Sequence, residues 1–130
     1  MPNVVEQRAV WFVTEFLTRE GFTVTNVTRN RAHRGYDIVA ARPGEEVKIE
    51  VKGCTKEWEI PDPYFTEFDS ERRLVADFLY VVYFIGSEPP RLCAIPREAI
   101  DPSAVTPRQG YRISGRLKKE SVLGRFIKRT

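Results

Sequence analysis

The sequence predicts an α/β domain, a β-sheet flanked by helices, and three stretches carry that reading. An N-terminal segment places apolar residues at helical spacing; "RGYDIVAARPGEEVKIEVKG" at residues 34–53 reads as two strands joined by a Pro-Gly turn; "FLYVVYFIG" at 78–86 is a continuous apolar run of the kind buried on both faces of a sheet. A chain of 130 residues fits one compact domain, with a core over about residues 4–96 and a basic extension over about 108–130.

The elements follow in order. From Val4 to Glu20 the residues Val5, Ala9, Val10, Phe12, Val13, Phe16 and Leu17 recur three and four apart and Gly21 supplies a stop, which predicts an amphipathic helix. At 100° per residue Glu6 falls within about 40° of Val10, Val13 and Leu17 on the apolar seam, whereas Glu15 and Trp11 fall away from it. "FTVTNVT" at 22–28 alternates β-branched and polar residues as a strand does, and "RNRAHRG" after it is a basic, turn-rich loop. Strands are expected at about 36–41 and 47–53. "CTKEWEIPDPYFTEFDS", with two prolines and many acids, reads as irregular, "SERRLVADF" as a short helix capped by Ser70, and "RLCAIP" at 91–96 as the hairpin partner of the apolar strand. "PREAI" reads as a helical turn and "GYRISGRL" is ambiguous, while "SVLGRFIKR" sets Val122, Leu123, Phe126 and Ile127 at helical spacing with Arg125, Lys128 and Arg129 outside.

Composition narrows the chemistry. Hydrophobic residues at 42% and charged residues at 30% are globular values, far from the disordered regime. No apolar run approaches the roughly 20 residues that span a bilayer, and "MPNVVEQRAV" lacks the basic-then-apolar pattern of a signal peptide, so a cytoplasmic protein is expected. Cys54 and Cys93 are the only cysteines and His33 the only histidine, which disfavours a structural zinc site and a Ser-His-Asp triad. Cys54 adjoins the "IEVKG" strand with no histidine nearby, and both thiols are read as structural. The net charge of +3 is unevenly spread: residues 108–130 carry eight Lys or Arg against one Glu. A polyanion would meet that segment first.

The chemistry-bearing residues converge on the hairpin. Side chains two apart on a strand share a face, so Glu50 and Lys52 project together and an antiparallel partner can bring Asp37 to the same surface. Two carboxylates about 4 Å apart repel by roughly 4 kcal/mol at an effective dielectric near 20, so a partly buried pair calls for a cation between them. Lys52 supplies part of that charge; side-chain oxygens with the backbone carbonyl of Val51 suit Mg²⁺ or Mn²⁺, which polarises a phosphoryl oxygen and lowers the pKa of bound water.

These residues also carry a resemblance. Helix Glu6, "GYD" and a hairpin into "IEVKG" resemble the PD-(D/E)xK nuclease superfamily, whose restriction-endonuclease-like core is a helix, three antiparallel strands, a helix and a further strand in a mixed sheet. The resemblance implies that Asp37 and Glu50 bind the metal and that Lys52 takes part in the catalytic step. Archaeal Holliday-junction resolvases of that superfamily are similar in size and use a first-helix glutamate, the position of Glu6; Gly-Tyr precedes the aspartate here in place of Pro. "GYDI...IEVKG" followed by "SERRLVADFLYVVYF" also resembles the C-terminal domain of the NO VEIN protein, a nuclease-like family found beside restriction and helicase modules.

Plainer readings exist for each feature. "VKIEVKG" alone could be a strand with a solvated Lys-Glu-Lys face, and an acid in a helix's first turn is favoured by the helix dipole whatever its function. Arg29, Arg31, His33 and Arg34, with Lys118 and Lys119 of the extension, could grip phosphate or simply be solvated. Trp11, Trp58 and Tyr64 could bury a subunit contact, as in a homodimer, or stack on a base, with ordinary packing the simpler account. The expectation is a metal-dependent nuclease acting on DNA in repair, recombination or restriction. The alternatives are a nuclease-fold module that binds nucleic acid or a partner without cutting, and an interaction protein whose apolar strand and aromatic segment bury an interface.

Overall fold

The structure is a computed structural model, and it describes residues 4–27, 35–61, 68–107 and 111–130. Helix α1 spans Val4–Arg19 and buries Ala9, Val13, Phe16 and Leu17 along one stripe, as the spacing predicts. It ends where Gly21 adopts φ +90° and the Phe22 N–H returns to the Leu17 carbonyl at 3.0 Å, a Schellman-type closure that only glycine accepts without strain. The chain then runs through β1 (Thr23–Asn26), β2 (Ile38–Arg42) and β3 (Glu45–Cys54), an antiparallel meander. The β2–β3 turn is made by Pro43-Gly44 with Gly44 at φ +79°, and Arg42 closes it on Glu45 at 2.7 Å.

Strand β4 (Phe78–Tyr83) joins β3 in parallel, and β5 (Arg91–Pro96) returns antiparallel to β4, as the hairpin expectation required. The last strand, β8 (Ile127–Lys128), pairs with β5, giving a mixed six-stranded sheet in the order β1-β2-β3-β4-β5-β8. A separate two-stranded ribbon, β6 (Val105–Pro107) with β7 (Tyr111–Ile113), and helix α2 (Glu120–Leu123) complete the chain. Among the described residues no helix is long and apolar enough to cross a membrane.

Each face of the sheet has its own apolar layer. Helix α1 covers Ile38, Ala40, Ile49, Val51, Tyr80, Val82, Leu92 and Ala94. The opposite face, carrying Leu79, Val81, Tyr83, Cys93 and Ile95, is covered by Ile60, Phe68, Leu74 and the C-terminal residues Ile100, Val105, Ile113 and Leu123. The basic extension is therefore no appendage: its Ile113 and Leu123 are all but inaccessible to water.

Two expected helices are corrected. No helix forms over 70–78; Asp69 accepts from the N–H groups of Glu71 (2.8 Å) and Arg73 (3.0 Å), and Arg72 takes φ +62°. An aspartate that caps its own turn and a left-handed residue after it both break helical continuation. The helix that the resemblance implied between β3 and β4 is thus absent among the described residues there. "SVLGRFIKR" is helical only to Leu123, continues as a 3₁₀ turn at Gly124–Phe126, and becomes strand at Ile127 because the open edge of β5 offers ladder partners.

Asp77 fastens the start of the central strands. Its carboxylate accepts from the Lys48 N–H at 2.8 Å and from Arg97 Nη2 at 2.6 Å, its N–H donates to the Lys48 carbonyl at 2.8 Å, and its carbonyl accepts from the Arg97 N–H at 3.0 Å. Asp77→Ala is expected to lower the urea midpoint by the equivalent of about 1–2 kcal/mol, since one backbone donor loses its acceptor while the partly exposed ion pair adds little. An unchanged midpoint would mean that the backbone bonds alone hold this corner.

Candidate metal centre

Strand β3 presents Val47, Ile49 and Val51 to α1 and Lys48, Glu50 and Lys52 to the other face, so the alternation in the sequence is real. The outer-face account fits Lys48, which is exposed, and fails for its two neighbours: Glu50 and Lys52 are each only 4% exposed. Their charged groups lie 3.8 Å apart. That separation is Coulombic contact and too long for a hydrogen bond.

Asp37 stands immediately before β2. Its N–H donates to the Ile49 carbonyl at 2.9 Å and its Oδ2 accepts from the Val51 N–H, also at 2.9 Å, which fixes the carboxylate at the end of the β2–β3 ladder. Carbonyls along β3 alternate in direction: those of Lys48 and Cys54 accept from the β4 side, that of Ile49 from the β2 side. The Val51 carbonyl therefore points with its N–H toward the β2 side, one step past the last rung at Ile38–Ile49. Glu6, half-buried in the first turn of α1, completes the group: one carboxylate oxygen each of Glu6, Asp37 and Glu50 lie within 4.8 Å of one another.

The structure thus brings Glu6, Asp37, Glu50 and Lys52 together, with the Val51 main chain beside them. Three carboxylates against one ammonium is a donor set of hard oxygens with an excess of negative charge, and it fits a hard divalent cation such as Mg²⁺ or Mn²⁺.

The proposed phosphate-binding residues fare differently. Arg29, Arg31, His33 and Arg34 lie outside the described residues, as does Tyr64. Lys118 turns inward to Glu59 at 2.7 Å with its side chain 14% exposed, whereas Lys119 is exposed. Trp58 packs edge-on against Tyr83 at 5.9 Å with Arg91 over its face, which is ordinary packing, and Trp11 stands 66% exposed on the outer side of α1. Local sequence signals mark Gly53 and Asp77 only weakly, as a glycine inside an otherwise β-branched strand and an acid opening a buried strand.

The chain is an α/β protein with a carboxylate–lysine cluster on its central strand. The family model described as Protein NO VEIN, C-terminal, matches residues 5–95, which takes in α1 from its second residue, all four cluster residues and the sheet through β5. The chain belongs to that family. No curated protein matches it.

Both thiols are buried. Burial raises the Cys54 thiol above its ordinary pKa and pushes Cys93 up to about 12; Cys93 donates to the Leu123 carbonyl at 3.4 Å. At pH 7 both are expected to react with a disulfide reagent only as fast as the protein opens, and freely in denaturant; rapid modification of Cys54 in the folded protein would refute this.

Glu59 tests the inward lysine. The hydrogen bond from Lys118 holds its carboxyl below the ordinary value of 4.5, so its contribution to stability is present above that value and lost as pH falls through the lowered one. Lys118→Met is expected to flatten the acid limb of the stability curve below about pH 5, by no more than about 1 kcal/mol for a pair a third exposed on the acid side. Denaturant midpoints from pH 3 to 7 check it.

Proposed function

We propose that this protein is a divalent-metal-dependent nuclease of the PD-(D/E)xK type that hydrolyses phosphodiester bonds, with DNA as the substrate. The observation that carries the reading is the burial of Glu50 and Lys52 side by side, with Asp37 and Glu6 converging on them. A solvated strand face would leave both exposed, and a sheet selected for stability alone would place apolar side chains there.

Asp37, Glu50 and the Val51 carbonyl would hold Mg²⁺ or Mn²⁺, with Glu6 completing the negative shell. The bound ion would supply charge stabilisation at a phosphoryl oxygen and an acidified water. Asp37 is held for this by the Val51 N–H, which sets its carboxylate without calling on a mobile side chain. Lys52, fixed beside Glu50, can orient the attacking water or meet the negative charge that develops on phosphorus oxygens. The neighbouring Lys48 is exposed on the same face of β3 and can contact a backbone phosphate.

A second reading has its own support. The Lys52 ammonium 3.8 Å from Glu50 offsets part of the buried negative charge, so the cluster can persist in a module that binds nucleic acid or a partner without cutting.

Nicking of supercoiled and branched DNA with Mg²⁺, Mn²⁺ or EDTA separates the two. The nuclease reading expects metal-dependent cutting, abolished by Asp37→Ala or Glu50→Ala and reduced about 10²–10³-fold by Lys52→Ala. DNA binding that persists in Glu50→Ala, with no cutting by the native protein, supports the second reading.

A further inference from the structure

Gly53 follows the lysine of the cluster inside β3, where glycine weakens a strand and needs a reason. The reason is not backbone conformation, since the positive-φ glycines are Gly21, Gly35, Gly44 and Gly86 and Gly53 is not among them. The reason is space. A Cβ on Gly53 would lie 2.7 Å from the Val5 carbonyl oxygen, 2.8 Å from Val5 Cγ1 and 3.0 Å from the Val5 carbonyl carbon. Two of these atoms are backbone, in the first turn of α1, one residue before Glu6.

The helix runs antiparallel to β3: its C-terminal end leads into β1, whose first residue aligns through Ala41 with Glu46 at the start of β3, while its first turn rests on Gly53 near the other end. Small residues sit on the site side, Gly53 on the strand and Ala9 one turn along the helix. Phe16 and Leu17 fill the far side.

We infer that Gly53 is the positioning residue of the cluster: its missing side chain lets the first turn of α1 close onto β3, and that closeness brings the Glu6 carboxylate within 4.8 Å of Glu50 and Asp37. The functional weight of this rests on the metal-centre reading above; the geometric claim stands on the contact itself. Side chains on strand and helix each reach only a few ångströms, so a helix lifted by one methyl group's width withdraws Glu6 from the ligand distance while Asp37 and Glu50, both fixed by β3, stay in place.

The test is a double-mutant cycle of Gly53→Ala with Glu6→Gln, read by calorimetric Mn²⁺ binding and by urea unfolding of the metal-free protein. Each single variant is expected to weaken Mn²⁺ about tenfold and the double variant no further, because both remove the same ligand. Affinity unchanged in Gly53→Ala, or losses that multiply in the double variant, would overturn the inference. In the metal-free protein Glu6→Gln is expected to shift the urea midpoint in the native background, where it changes the charge facing Asp37 and Glu50, and to shift it less in the Gly53→Ala background. Equal shifts in both backgrounds would also overturn it.

If the native protein takes up no Mn²⁺, the metal centre fails and the urea cycle alone decides Gly53. If Gly53→Ala does not fold, Glu6→Asp withdraws the carboxylate by one methylene with no clash. An Mn²⁺ affinity as high as the native one in that variant would show that helix spacing does not limit the site.

Discussion

A carboxylate and an ammonium, both nearly cut off from water in the strand at the middle of the sheet, are the constraint around which this fold is arranged. Removing such ions from water carries an effective penalty of several kcal/mol each, and attraction at 3.8 Å returns roughly 4 kcal/mol at an effective dielectric of 20. Glu50 and Lys52 are therefore no gift to stability. An apolar pair of the same volume would serve the sheet as well or better, as Leu79 and Val81 do beside them on β4. Their environment must satisfy them, and that requirement explains the neighbouring geometry.

Three features meet it together. Strand β3 is the longest in the sheet, paired to β2 along its first half and to β4 along its second, so that among the described residues the β2 ladder stops at Ile49. Asp37 stands beyond that last rung and takes the Val51 N–H that β2 no longer serves. The first turn of α1 comes down on Gly53 and adds Glu6. The stagger between the meander and the parallel pair thus creates a notch lined by main-chain groups and acids. A strictly antiparallel sheet of matched strands would close it with ordinary rungs.

How far the sequence reveals this depends on the range of the interactions. Helix α1, the Pro-Gly hairpin and the β4–β5 pair are written in local periodicity, and Asp37, Glu50 and Lys52 are close in sequence across one short turn, so their convergence is legible. Glu6 needed only the helical angle that puts it on the apolar seam. The false helix at 70–78 came from helix-forming residues whose conformation is set by the Asp69 side chain, a competition that propensity does not resolve. The C-terminal segment reads as a basic tail because its buried residues Ile113 and Leu123 are too far apart to form a pattern, and the sheet face that they cover exists only in three dimensions. Gly53 stood in plain view within the motif, but its function is a contact across 48 positions of sequence with Val5, which no local rule supplies.

The folded tail changes what its charge can do. A disordered basic arm would attract a polyanion from any direction, whereas this segment is pinned by Ile113 and Leu123 to the sheet face from which Glu50 and Lys52 project. Lys118 is engaged in holding Glu59, but Arg112, Arg116, Lys119, Arg125, Lys128 and Arg129 remain exposed on the same layer. On the nuclease reading, the positive field of the extension and the carboxylate cluster would act on the same phosphate backbone with opposite signs. The field would draw phosphate in, and the acids would repel it unless a divalent cation were bound between them. Binding and cutting would then respond differently to ions: monovalent salt screens the basic layer, while the divalent ion is needed at the cluster itself.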